Sequence, residues 1–230
     1  MPRPPADWIN HLPRTRLLAE YSMWSADLIR LADDLDRITP HADILHVDVA
    51  DGHFAPALLF FPDLVARLRA QTALPIHVHL MVADAVLCSQ IDQFAEAGAD
   101  LISLHAENAN AAEGLARIAG HGILSGMVLR VETPVAQAAP WLPELDMLTL
   151  LGTAIGVKGQ GLDPTATDRL HEAGNLIAQS GRSILLAADG GIRDTTVPML
   201  RAAGAQTVVM GSLAFSAPDL ADRMRWLHAL

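Results

Sequence analysis

Two periodicities take turns along this chain. Short stretches alternate apolar and polar side chains or run continuously apolar, and between them apolar residues recur at three- and four-residue spacing. The first pattern predicts strands and the second predicts helices. Strands are expected over 17–24, 43–49, 75–82, 100–106, 124–130, 147–151, 184–188 and 207–210. Helices are expected over 62–70, 86–97, 111–119, 164–179, 194–203 and 218–228. One more opens at Ser25-Ala26-Asp27, with Leu28, Leu31 and Leu35 at helical spacing, and a short one starts at Pro134. Pro62 begins its helix at the first turn, where a missing N–H costs nothing.

Strict alternation of strand and helix implies a parallel sheet. Eight such units within about 210 residues favour a closed (β/α)8 TIM barrel over a doubly wound open sheet. No Gly-x-Gly-x-x-Gly follows the first strand, which weakens a dinucleotide-binding reading. The expected organisation is an N-terminal extension over 1–19 and a single barrel domain over 20–230.

Composition narrows the partners. Of the 230 residues, 51% are hydrophobic and 18% charged, as in a compact globular chain. A formal net charge of -10 argues against nucleic acid. It leaves room for a phosphorylated substrate, because backbone N–H groups bind phosphate without side-chain charge. A single cysteine, Cys88, permits no intrachain disulfide and fits a reducing compartment. No apolar run has the length of a membrane span, and residues 1–13 carry no apolar leader core, so a cytoplasmic location is expected. Lys158 is the only lysine, against fifteen arginines.

Candidate chemistry collects where the strands end. In His46-Val47-Asp48-Val49, alternation sends the imidazole and the carboxylate to one strand face and the valines to the other. His77 and His79 share a face of the third strand in the same way, and Asp189 follows the seventh. In a barrel the active site lies at the C-terminal ends of the strands. His46, Asp48, His79 and Asp189 there would make a four-ligand site for one divalent ion, zinc, ferrous iron or manganese. Ser25 follows the first strand. Glycines follow the last three: Gly156, Gly159 and Gly161 around Lys158, then Gly190-Gly191, then Gly211-Ser212. Successive loops of this kind are suited to holding a phosphate by backbone N–H groups.

These residues together resemble the ribulose-phosphate 3-epimerase family over roughly 20–216. The matching motifs are Ser25-Ala26-Asp27, His46-Val47-Asp48-Val49-x-Asp51-Gly52-x-Phe54-x-Pro56 and His79-Leu80-Met81-Val82. They continue with His105-x-Glu107, Gly159-Gln160, Asp189-Gly190-Gly191 and Gly211-Ser212. The resemblance implies a TIM barrel of the ribulose-phosphate-binding type and a metal-dependent epimerase of carbohydrate metabolism in the pentose phosphate series. It would invert C3 of a ketose phosphate through an enediolate, leading with D-ribulose 5-phosphate to D-xylulose 5-phosphate. It implies a metal held by His46, Asp48, His79 and Asp189, with Asp48 and Asp189 as the acid/base pair. It implies substrate contacts from Ser25, His79, Gly156, Lys158, Gly159, Gly190, Gly191, Gly211 and Ser212, and a homo-oligomer. Separately, Trp8, Ile9 and Leu12 of the extension are expected to contribute to an interface.

Four departures fall beside that set. Ala50 stands where the family has Met, Ala57 where it has Asn, and His77 where Asp is common. The loop 154–160 reads Ala-Ile-Gly-Val-Lys-Gly-Gln, without the usual proline and with one glycine fewer. The smaller Ala50 is expected to admit a different or bulkier sugar phosphate. His77 is expected as an interior polar residue, His105 and Glu107 as support for the fourth strand, and His53 in a loop at the site mouth. Two other functions fit parts of the pattern. One is a Schiff-base aldolase or lyase using Lys158. The other is a non-catalytic sugar-phosphate-binding barrel.

Overall fold

The computed structural model describes residues 3–230. Nine strands form one sheet: β1 (Leu18–Ser22), β2 (Ile44–Asp51), β3 (Leu58–Leu59), β4 (Ile76–Met81), β5 (Leu101–His105), β6 (Leu124–Leu129), β7 (Met147–Leu151), β8 (Leu185–Asp189) and β9 (Thr207–Met210). Eight run parallel, in the order β1-β9-β8-β7-β6-β5-β4-β2, and β1 also pairs with β2. That last pairing closes the sheet into a TIM barrel and rules out the open alternative. The exception is β3, which the alternation did not predict. It folds back antiparallel on the end of β2, pairing Ala50 with Leu59 and Asp51 with Leu58.

Helices α1 (Leu31–Ile38), α2 (Pro62–Gln71), α3 (Asp84–Ala97), α4 (Ala111–Gly120), α5 (Ala166–Ser180), α6 (Val197–Ala202), α7 (Ser212–Phe215) and α8 (Leu220–His228) surround the barrel. Their apolar faces meet the outward strand residues, among them Tyr21, Val47, Val78 and Ile102, in one continuous core. Two expected helices differ. Ser25-Ala26-Asp27 does not open one. The Asp27 carboxylate accepts the Ile29 N–H, and Asp34 accepts that of Asp27. This gives the backbone a non-helical alternative, and α1 waits until Leu31. The segment Val135–Glu144 is 3-10 rather than α, with Pro140 and Pro143 inside it. Each proline removes a donor that an α-helix needs.

Inside the barrel the side chains change character from floor to mouth. At the floor Leu18, Ile44, Leu101, Met147, Leu185 and Ala187 pack with Trp8 and Ile9. Trp8 and Ile9 belong to a 3-10 turn (Trp8–His11) that seals the barrel from below, and both are buried. Leu12 packs against the same cluster. Trp8 and Ile9 are therefore spent within the chain, while Leu12 is half-buried. Above the floor the inward positions turn polar: Glu20, His46, His77, Ser103, Thr149 and Thr207, then Ser22, Asp48, His79 and His105, all buried.

Candidate metal centre and substrate cavity

Adjacent parallel strands hold the centre in register. Asp48 on β2 lies opposite His79 on β4, and His46 lies opposite His77. On the far side, Asp189 at the end of β8 lies opposite Val209 on β9. One ligand atom each from His46, Asp48, His79 and Asp189 lies within 4.8 Å of the others. His46 Nε2 is 3.3 Å from Asp48 Oδ1, and His79 Nδ1 is 3.3 Å from the same oxygen and 3.7 Å from Asp189 Oδ2.

The donor set fits a divalent ion on its own evidence. His79 Nδ1 is buried and has no hydrogen-bond partner, although buried polar atoms are almost always paired. Two imidazoles and two carboxylates around that orphan suit zinc, ferrous iron or manganese alike.

The two carboxylates differ in electrostatic setting. Burial alone would raise Asp48, but His46 and His79 beside it hold it well below the usual carboxylate range. Burial pushes Asp189 up to about 6, and the negative charge of Asp48 adds to the rise against the pull of His46. Burial opposes protonation of His46, but the carboxylates of Asp48, Glu20 and Asp189 together raise it well above the usual imidazole range.

Behind each histidine stands a carboxylate. His79 Nε2 is 2.9 Å from His105 Nε2, and His105 Nδ1 is 3.0 Å from Glu107 Oε2. Glu107 also accepts from the Arg130 N–H and the Thr133 hydroxyl. Phe54 covers the His105 ring, and the Arg130 guanidinium lies over Phe54. His46 Nδ1 meets Glu20 of β1 directly at 3.1 Å. Ser22 of β1 donates to Asp48 Oδ2 at 2.7 Å. Glu20 and Ser22 were both missed in the sequence. Their signal was a carboxylate in the middle of an otherwise apolar strand, two residues before a serine on the same face.

A cavity of about 360 Å³ opens above the centre. Asp48, His79 and Asp189 form its base, and Ser25, Gly156, Lys158, Gly159, Gly190, Gly191, Gly211 and Ser212 all line it. His46 lies beneath the base and is fully buried. Gly191 has φ +69, and a Cβ there would lie 2.8 Å from the Leu162 backbone, so no other residue fits. Lys158 Nζ donates to the Trp24 carbonyl at 2.6 Å and sits 4.6 Å from the centre of the Trp24 ring. It bridges the loop after β7 to the loop after β1. Ala50 does not line the cavity. It packs with Ala55 and Met81, with Ile155 against them, and Met81 and Ile155 face the cavity instead. Its small size therefore does not itself widen the site. His53 is exposed in the loop after β2 and is not part of the wall.

The fold is shared with solved barrels. 3-Hexulose-6-phosphate synthase aligns over 93% of this chain and 99% of its own with a TM-score of 0.66 at 16% identity. Orotidine 5'-phosphate decarboxylase from Pyrococcus horikoshii aligns over 91% and 97% with a TM-score of 0.64 at 13% identity. Sequence relatives are nearer. Ribulose-phosphate 3-epimerase 2 of Cupriavidus necator is 35% identical over 206 residues, 86% of this chain and 84% of that protein. The ribulose-phosphate 3-epimerase of Escherichia coli is 34% identical over 212 residues, 89% and 92% of the two chains. That of Bacillus subtilis is 32% identical over 201 residues, 86% and 92%. The protein is thus a barrel isomerase acting on carbohydrates. The model of the ribulose-phosphate 3 epimerase family matches residues 18–215, and the chain belongs to that family.

Proposed function

We propose that this protein inverts C3 of a ketose phosphate, foremost D-ribulose 5-phosphate to D-xylulose 5-phosphate, by two-base proton transfer through an enediolate. The observation that carries the reading is the pair Asp48 and Asp189. They reach one cavity base from different strands, Asp48 from β2 and Asp189 from the end of β8. Inversion needs a group that removes a proton from one face of the carbon and a group that returns one to the other.

Asp48 takes the C3 proton, and Asp189 delivers one from the opposite face. In the reverse direction the roles exchange. His46, Asp48, His79 and Asp189 would hold one divalent ion, whose positive charge favours the enediolate over the ketose. Ser22 keeps Asp48 aimed by bonding its second oxygen. The backbone N–H groups of the loops carrying Gly156, Gly159, Gly190, Gly191 and Gly211, with the Ser212 hydroxyl and Lys158, hold the phosphate. Ser25 contacts the sugar. Anchoring the remote phosphate fixes C3 between the carboxylates.

The test is incubation of metal-loaded protein with a panel of pentulose, hexulose and tetrulose phosphates in deuterated water. Deuterium at C3 with an inverted product is expected for at least one, D-ribulose 5-phosphate first. No exchange from any of them, with metal confirmed bound, would sink the reading.

A further inference from the structure

Glu20 lies in the barrel interior and does not line the cavity. It is fully buried at 0% exposure, midway up β1. Burying a charge there is costly unless it is well bonded, and Glu20 is. Its Oε2 accepts from His77 Nδ1 at 2.8 Å and from His46 Nδ1 at 3.1 Å. Its Oε1 accepts from the Thr207 hydroxyl of β9 at 3.2 Å. His77 is fully engaged in turn, since its Nε2 meets the Ser103 hydroxyl at 2.7 Å. The Ser103 hydroxyl fits only because β6 carries Gly126 beside it: a Cβ at Gly126 would lie 1.9 Å from Ser103 Oγ.

Glu20, His46 and His77 also bring three possible ligand atoms together. They do not make a second metal site. The Nδ1 atoms already point at Glu20 at hydrogen-bond distance, and the other His77 nitrogen and the other Glu20 oxygen are bonded as well. The cluster is a closed chain of donors and acceptors with one outlet, His46 Nε2, which faces Asp48.

We propose that Glu20 is a positioning residue for the metal centre. By accepting the Nδ1 proton of His46 it fixes the ring and its tautomer, so that Nε2 is the atom turned to the metal. His77, Ser103 and Thr207 hold Glu20 in place. A carboxylate behind a ligating imidazole raises its basicity and orients its lone pair. The two histidines of the centre are then backed alike, His79 through His105 to Glu107 and His46 directly by Glu20. This rests on His46 being a ligand, as proposed above.

The test reads metal binding and proton position. Cobalt(II) is titrated into wild-type protein, His46→Ala, Glu20→Gln and Glu20→Ala, following the visible spectrum of the bound ion. His46→Ala should lose the wild-type spectrum, and the Glu20 variants should bind roughly 10–100-fold more weakly with an altered spectrum. Wild-type affinity and spectrum in both Glu20 variants, with His46→Ala impaired, would overturn the role of Glu20 alone. Wild-type behaviour of His46→Ala would overturn the ligand assignment and the proposal with it. Two further arms cover misfolding of the variants. In zinc-loaded wild-type protein, imidazole nitrogen NMR should show His46 protonated at Nδ1 and bound at Nε2; the opposite pattern refutes the proposal. In Glu20→Ala/His77→Asp, the carboxylate moves to the strand position directly opposite His46. That double variant should recover cobalt affinity over Glu20→Ala, and no recovery would count against positioning.

Discussion

Single residues set the centre's tolerances, and Gly126 shows how tightly. The volume a Cβ would occupy there is taken by the Ser103 hydroxyl. Gly126→Ala should lower stability by about 1–3 kcal/mol, the usual range for overpacking. In Gly126→Ala/Ser103→Ala the clash with the hydroxyl is gone, so the double variant should lose less than the sum of the single changes. Urea denaturation of the four proteins checks this, and strict additivity would argue that the two residues do not compete for space. Asp48→Asn and Asp189→Asn should each cut epimerisation by 10²-fold or more, roughly the contribution of a positioned acid/base group. Near-normal turnover in either would remove it from that role. At this scale His46, Asp48 and His79 were legible because strand alternation puts alternate side chains on one face. Glu20 was not, since pattern alone cannot show that a lone carboxylate lies one strand away from two imidazoles.

At the scale of elements, all eight barrel strands were readable from their alternating or continuously apolar stretches, and the helix boundaries were less so. The misses share a cause: local side-chain and proline chemistry competing with the helix ladder, at Asp27 after β1 and at Pro140 and Pro143 after β6. The short β3 carried no pattern because two residues are too few to show one. The 3-10 turn Trp8–His11 was visible only as an apolar cluster without a destination. In the fold it closes the barrel floor, far from the cavity. Trp8→Ala should therefore destabilise the protein by about 3 kcal/mol, near the lower end for a large-to-small change, while leaving kcat and KM for the active ketose phosphate close to wild type. A variant with unchanged stability would show that the turn does not seal the floor.

At the scale of the whole molecule, the buried histidines link stability to pH. Burial pushes His77 down to about 4, against the pull of Glu20, and His105 likewise to about 4, against that of Glu107. Both have an ordinary value of 6.5. Between 6.5 and 4 the unfolded chain takes up protons that the folded chain refuses, so stability falls as pH drops through that window. The loss should be of the order of a few kcal/mol in total. It is read as a falling urea midpoint between pH 7 and 4.5, and a flat midpoint would mean the two rings are already charged at neutrality. Removing a bound metal should act in the same direction, lowering Tm, because a ligand that binds only the folded state stabilises it. Among the described residues no helix is long and apolar enough to cross a membrane.

The bridge from Lys158 to Trp24 has a practical consequence. Because Lys158 is the only lysine, an amine-directed reagent meets two nitrogens in the chain, this one and the α-amino group. Burial lowers Lys158 from its ordinary value, which increases the share of reactive free amine. Acylation should yield two modified peptides, and a ketose phosphate in the cavity should slow formation of the Lys158 one while leaving the α-amino product unchanged. A dye attached there becomes a reporter stationed at the entrance, turning a bias against lysine into a built-in address for following occupancy in real time.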